Sequence, residues 1–175
     1  MPIVTDKINK ILDEKNLNIY QLNKLMDFSD GALRKMISAK SHFSEKAVKK
    51  LLPVLEVSRE EFECWVLADK YPREVLKLAI DNKKKFPFKR KSILTVKIDE
   101  ILQQKNMSRT ALAKEINYSQ SGLNRMITGK INMSTPVIAK ISEVLGILQN
   151  NILSWILADR YSLQILEMAW ACSDC

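Results

Sequence analysis

The feature that most constrains the fold is an internal repeat, in which the chain matches itself at an offset of 90 residues. Residues 7–80 align with residues 97–170 without a gap, and 24 of the 74 paired positions are identical. The most specific pairing joins Trp65-Val-Leu-Ala-Asp-Lys-Tyr71 to Trp155-Ile-Leu-Ala-Asp-Arg-Tyr161. A chance match of this length without gaps is implausible, so we interpret the chain as a tandem duplication of one helical unit.

Apolar residues recur at spacings of three and four along the whole chain, which is typical of amphipathic helices. With only 4 glycines and few Val/Thr runs, the sequence offers little material for a sheet. Its 175 residues leave room for two small domains. The sequence therefore predicts an all-α fold with a first repeat at residues 1–81, a basic linker at residues 82–96 and a second repeat at residues 97–175.

Helix caps and turn residues divide the second repeat into six helices. Ser108 and Ser119 are suited to cap the second and third helices, and Asn117 suits the turn between them because asparagine tolerates positive φ. Pro136 fits the first turn of the fourth helix, which Gly146 ends. The predicted helices cover about residues 96–105, 109–116, 119–130, 135–146, 149–160 and 162–171.

The third of these helices has two faces of different chemistry. Leu123, Met126 and Ile127 form one apolar stripe. The opposite face carries polar side chains that can reach the edges of bases, namely Gln120, Ser121, Asn124 and Arg125. Such a face is also what the solvated side of any short helix looks like, and this alternative stays open.

Leu112-Ala113, a three-residue gap, Asn117, Ser119-Gln120-Ser121 and Gly129-Lys130 together resemble the phage-repressor and Cro-like helix-turn-helix family, often called the XRE family. The resemblance covers residues 97–147 well and residues 7–57 less well. It implies a lambda-repressor-like helix-turn-helix in each repeat, with the third helix in the major groove of double-stranded DNA. It also implies base contacts by Gln120, Ser121 and Arg125, and phosphate contacts by Arg109 and Lys130.

The first repeat departs further from this pattern. Asn23 stands where the second repeat has Ala113, Ile19 stands where it has Arg109, and the reading face begins Asp30-Gly31-Ala32. Basic character persists in three residues that could serve a second reader: Arg34, Lys35 and Lys40. A second DNA reader and a degenerate motif kept for packing are both compatible with these residues.

The net charge of +8 belongs to the linker and not to either repeat. Residues 1–81 hold 14 basic and 13 acidic side chains, and residues 97–175 hold 8 and 7. The linker adds six basic residues and no acid: Lys83, Lys84, Lys85, Lys89, Arg90 and Lys91. We expect an extended arm that follows the DNA phosphates or enters a minor groove. A solvated tether, or docking of Phe86 and Phe88 on a neighbouring helix, is the alternative.

Other function classes find little support in the sequence. A single histidine, no phosphate-binding loop and no nucleophile motif argue against an enzyme and against a cofactor or metal. No apolar run is long enough to span a bilayer and no signal peptide begins the chain, so we expect a cytoplasmic protein without a membrane partner. Trp65 and Trp155 suit a core position, although helices five and six could instead form a homodimer interface.

These observations favour a bacterial or phage-like transcriptional regulator that binds DNA sequence-specifically, as a repressor does. Two tandem helix-turn-helix units in one chain would act as a pseudo-dimer on an imperfect palindrome. The alternative is a protein-interaction module, or an antirepressor, that keeps the fold without reading bases.

Overall fold

The computed structural model describes residues 2–28, 31–37, 43–86 and 91–173, and these residues form twelve helices. The structure is all-helical, which confirms the predicted fold class. The helices are α1 Ile3–Glu14, α2 Ile19–Met26, α3 Ala32–Ile37, α4 Glu45–Leu55, α5 Arg59–Lys70, α6 Arg73–Lys85, α7 Ile93–Gln104, α8 Arg109–Glu115, α9 Gln120–Ile127, α10 Thr135–Leu145, α11 Gln149–Arg160 and α12 Leu163–Cys172. None of the helices in this described part of the chain has the length and apolarity needed to cross a membrane.

The helix bounds follow the sequence repeat. α1, α4 and α5 begin and end 90 residues before α7, α10 and α11, whereas α3 has 6 residues and α9 has 8. α7 begins three residues earlier than expected because Ser92 caps it, accepting the Thr95 backbone N–H at 3.0 Å. This shared layout agrees with a tandem duplication, which itself stays a prediction.

The chain divides into two compact units. The first comprises Met1–Arg73 with Met168–Cys175, and the second comprises Glu74–Glu167. The core of the first contains Ile8, Leu22, Leu33, Leu51, Phe62 and Trp65, and that of the second contains Ile98, Leu112, Leu123, Ile141 and Trp155. Both tryptophans of the repeated signature are therefore core residues.

The aspartate of that signature caps a helix. Asp159, at the end of α11, accepts the backbone N–H groups of Ile93 and Leu94 at 2.8 and 3.0 Å. Asp69, at the end of α5, accepts those of Ile3 and Val4. A carboxylate at a helix N-terminus satisfies unpaired donors and lies at the favourable end of the helix dipole. The signature is thus explained by packing and capping within each compact unit.

The expected extended arm is wrong for most of the linker. Residues 82–85 form the last turn of α6, and residues 93–96 form the first turn of α7. In the second compact unit, Asn82 Nδ2 donates to Ser154 Oγ at 3.2 Å, and Lys83 Nζ donates to the Ala158 carbonyl oxygen at 2.8 Å. A run of lysines is compatible with a helix C-terminus because cations interact favourably with the carbonyl end of the dipole.

Candidate nucleic-acid interface

A tight turn joins α8 to α9 in the second compact unit. Asn117 adopts φ 54°, in the left-handed region, as the sequence predicted. The Tyr118 backbone N–H donates to the Ala113 carbonyl oxygen at 2.8 Å, and Ser119 Oγ accepts the Gly122 N–H at 3.1 Å. Ala113 is buried at the helix crossing, where a small side chain lets α9 approach α8. The turn thereby fixes the direction in which α9 leaves.

Gly122 leaves little room for a side chain in this turn. A Cβ placed at Gly122 would lie 2.8 Å from Ser119 Oγ and 2.8 Å from Tyr118 Cε1. Such contacts are closer than van der Waals packing allows, so a larger residue would displace the cap or the ring.

α9 presents the polar face that the sequence predicted. Leu123, Met126 and Ile127 are buried, while Gln120, Ser121 and Arg125 are exposed and Asn124 is half-buried. A shallow concavity of about 410 Å³ brings the four polar side chains together with Thr128 and Lys130. Side chains in such an arrangement can donate and accept hydrogen bonds along one surface, with a cation at its end.

Arg109 lies at the start of α8 and is held by an acidic partner. Its Nε and Nη2 donate to Asp99 Oδ1 and Oδ2 at 2.8 and 2.7 Å, a bidentate ion pair. Its Nη1 donates to Asn124 Oδ1 in a long hydrogen bond of 3.4 Å. The guanidinium is thus connected to α7 and to the polar face of α9. Asp99 could not be predicted from the sequence, because nothing in the local pattern of α7 marks it as the partner of Arg109.

The predicted phosphate-binding residues of the linker have different surroundings. Lys83 donates to the Ala158 carbonyl oxygen, and Lys84 forms an ion pair with Glu167 at 2.8 Å. Lys85 and Lys91 are exposed. Lys83 and Lys91 also line a cavity of about 530 Å³ beside the turn that follows α9. Two further predicted contacts, Lys89 and Arg90, lie outside the described residues.

In the first compact unit, α2 corresponds to α8 in the alignment of the two repeats, and its exposed surface is more apolar than that of α8. Tyr20 and Leu25 on α2 are 67% and 62% exposed, where α8 has Thr110 and Glu115. Of the residues predicted for a second reader, Lys35 is exposed on α3, whereas Lys40 and the side chain of Arg34 lie outside the described part of the chain.

Asn23 lies on α2 at the position that Ala113 occupies on α8. It is buried, and its Oδ1 has no hydrogen-bond partner among the described residues. An unpaired buried acceptor costs free energy of folding. Position 23 of α2 therefore carries a polar group where position 113 of α8 has a buried methyl.

Comparison with known families agrees with the geometry of the second compact unit. Residues 97–157 match the family model of the Cro/C1-type HTH DNA-binding domain. The match spans α8, the turn, α9 and α10, together with most of α7 and most of α11. Searches of curated proteins and of solved structures found no match. Residues 97–157 therefore form a helix-turn-helix domain of the Cro/C1, or XRE-like, type.

Proposed function

We propose that the chain is a sequence-specific DNA-binding transcriptional regulator that acts as a repressor does, by occupying an operator. The observation that carries this proposal is the polar concavity of α9, which gathers Gln120, Ser121, Asn124 and Arg125 on the exposed face of a Cro/C1-type domain. A helix with such a face fits the major groove, where each base pair presents a distinct pattern of donors and acceptors.

The side chains of this face suggest their roles. Arg125 can donate to guanine O6 and N7, and Gln120 can pair with adenine N6 and N7. Lys130, exposed at the end of the concavity, is suited to a phosphate and would fix the register of α9. Lys85 and Lys91 would add affinity that does not depend on sequence.

We further propose that one chain acts as a pseudo-dimer, in which the first repeat, similar in sequence to the second, supplies a second helix-turn-helix. Their reading faces differ at every base-reading position, since Gln120, Ser121, Asn124 and Arg125 correspond to Asp30, Gly31, Arg34 and Lys35. The operator would therefore be an imperfect palindrome.

A homodimer through helices five and six is the other arrangement that the sequence favours, although Trp65, Ala68, Trp155 and Ala158 are buried within the chain. Sedimentation of the chain bound to its operator distinguishes one copy from two.

Fluorescence anisotropy with random genomic duplexes, followed by enriched duplexes, tests the proposal over a series of salt concentrations. Arg125→Ala should reduce discrimination at one base pair by roughly 1–3 kcal/mol. Lys130→Ala should weaken binding to all duplexes alike. Lys77→Ala, which removes an exposed lysine of α6 outside both helix-turn-helix segments, is the control for a change of charge. No binding by the wild-type chain at low salt would refute the proposal.

A second candidate function is favoured by the exposed Tyr20 and Leu25 of α2. The first repeat could be a protein-interaction module or an antirepressor-like element that has lost its reading function. The double variant Tyr20→Thr/Leu25→Glu restores the residues of α8 at these two positions. If the first repeat binds protein, this variant should bind the operator as tightly as the wild type while repression in cells is lost. Unchanged repression would argue against the second candidate.

A further inference from the structure

Arg109, Asp99 and Asn124 form a chain of contacts from α7 through the start of α8 to the polar face of α9. The carboxylate of Asp99 holds two nitrogens of the guanidinium at 2.7 and 2.8 Å, which is a geometry specific to arginine. The third nitrogen, Nη1, faces the side-chain amide of Asn124. α9 is thus connected by a side chain to two other helices of the second compact unit.

The chemistry of arginine determines how the Asn124 amide is oriented. A guanidinium has five N–H donors and no acceptor, so only the amide oxygen of Asn124 can pair with Arg109. The amide nitrogen must then point away from Arg109. Asn124 also lines the concavity with Gln120 and Arg125. The group that Asn124 offers to a ligand at this surface is therefore an NH₂ donor.

An NH₂ donor alone recognises bases differently from a free amide, which offers both a donor and an acceptor. A free asparagine pairs with adenine by accepting from N6 and donating to N7. With its oxygen turned toward Arg109, Asn124 presents its NH₂ group, which can donate to guanine O6 and N7 but is mismatched with adenine N6, itself a donor. The pairing with Arg109 thus shifts the preference of Asn124 from adenine to guanine.

The first repeat supports a joint role for the three residues, because all three positions differ there. Asn9, Ile19 and Arg34 stand in place of Asp99, Arg109 and Asn124. Ile19 has neither a positive charge to pair with a carboxylate nor N–H groups to donate to an amide oxygen. The ion pair and the amide that it orients therefore belong to the second repeat only.

On the basis of the function proposed above, we infer that Arg109 is a positioning residue for base specificity. Asp99 fixes the guanidinium, the guanidinium engages Asn124 Oδ1, and Asn124 reads guanine in preference to adenine at one base pair. Because Asp99 neutralises the guanidinium, Arg109 contributes less to phosphate binding than the exposed Lys130 does.

Selection of duplexes from a random pool, followed by sequencing, tests this inference with the full chain. Arg109→Ala should move the preference at one base pair from guanine to adenine by about tenfold, with the other positions unchanged. Arg109→Lys keeps the charge but loses the planar guanidinium with its several N–H donors. It should change the base preference in the same way while the log–log salt slope of binding stays unchanged. Lys130→Ala is the control, and it should lower affinity without changing the order of preferred bases. Circular dichroism verifies that each variant remains folded.

The results that would overturn the inference are distinct. If Arg109→Ala and Arg109→Lys retain the wild-type order of bases while the wild-type chain selects a clear site, the positioning role is refuted and the proposed function stands. If Arg109→Ala instead lowers the log–log salt slope by about one, Arg109 is a phosphate contact. If the wild-type chain selects no sequence at low salt, the proposed function and this inference both fail.

Discussion

At the scale of single residues, two equivalent aspartates cap equivalent helices in different surroundings. Asp159 is half-buried, whereas Asp69 is exposed. Loss of a cap to backbone N–H groups costs about 0.5–2 kcal/mol, and the cost rises when the orphaned donors are shielded from water. We therefore expect Asp159→Ala to lower the free energy of unfolding by about 2 kcal/mol and Asp69→Ala by less. Chemical denaturation of the two variants measures this difference, and equal losses would contradict it.

Cys64 supplies a prediction about pH. Burial raises the pKa of its thiol from 9.0 to about 11, with a further contribution from Cys172. The folded state therefore keeps the thiol protonated where the unfolded state ionises, so stability is retained below pH 9 and falls as pH rises from 9 towards 11. Cys64→Ser should reduce this loss of stability in denaturation curves measured between pH 8 and 11. A loss of the same size in Cys64→Ser would exclude the thiol as its cause.

The residues of the candidate interface were predictable to different degrees. Gln120, Ser121, Asn124 and Arg125 share one face by helical periodicity alone, and the structure brings them together. The partnership of Arg109 with Asp99 was not predictable, because it joins two helices through a contact that no local spacing encodes. Capping by Asp159 was missed for the same reason: the signature places the aspartate on a helix, but only the tertiary fold shows which helix it caps.

At the scale of helices, cap and turn residues in the sequence predicted where most helices of the second repeat begin and end. Ser108, Ser119 and Asn117 occupy the caps and the turn that their side-chain chemistry predicted. The linker was predicted less well. Its lysines suggested a solvated arm, yet residues 82–85 remain helical because Asn82 and Lys83 find partners within the second compact unit. A charge count describes composition and does not report such tertiary contacts.

The buried Asn23 of α2 gives a prediction at this scale. Asn23 buries an acceptor without a partner among the described residues, whereas the second repeat has Ala113 there. Asn23→Ala should raise the free energy of unfolding by about 1 kcal/mol, because the desolvation cost of the amide is removed. The matched reverse change, Ala113→Asn, should destabilise the chain by more, since a larger polar group would enter a packed crossing. A destabilised Asn23→Ala variant would show that the amide has a structural role.

At the scale of the whole molecule, the division into compact units could not be read from the repeat. Residues 74–81 belong to the second compact unit and residues 168–175 to the first. Within the first unit, Arg73 lies over the Trp170 ring at 4.4 Å, and Cys172 packs against the core. Sequence similarity shows which segments are related, whereas compactness depends on which surfaces pack together. The repeat boundaries at 81 and 97 therefore describe the sequence only.

The basic segment gives a prediction for the molecule as a DNA-binding chain. Lys85 and Lys91 are exposed, whereas Lys83 and Lys84 have partners within the second compact unit. Lys85→Ala/Lys91→Ala should weaken binding to every duplex and make the log–log salt slope shallower by about 2. Lys84→Ala, which removes the ion pair with Glu167, is the control and should change the slope less. Equal slopes for wild type and the double variant would mean that the segment does not contact phosphates.

The central claim is that α9 of the Cro/C1-type domain reads base edges. The most direct measurement is the set of sequences that the chain enriches from a random duplex pool, compared between wild type and Arg125→Ala. We expect a defined site for the wild type and loss of preference at one base pair in Arg125→Ala, with the remaining positions retained. An identical enriched site for both proteins, or no enrichment by the wild type at low salt, would contradict it.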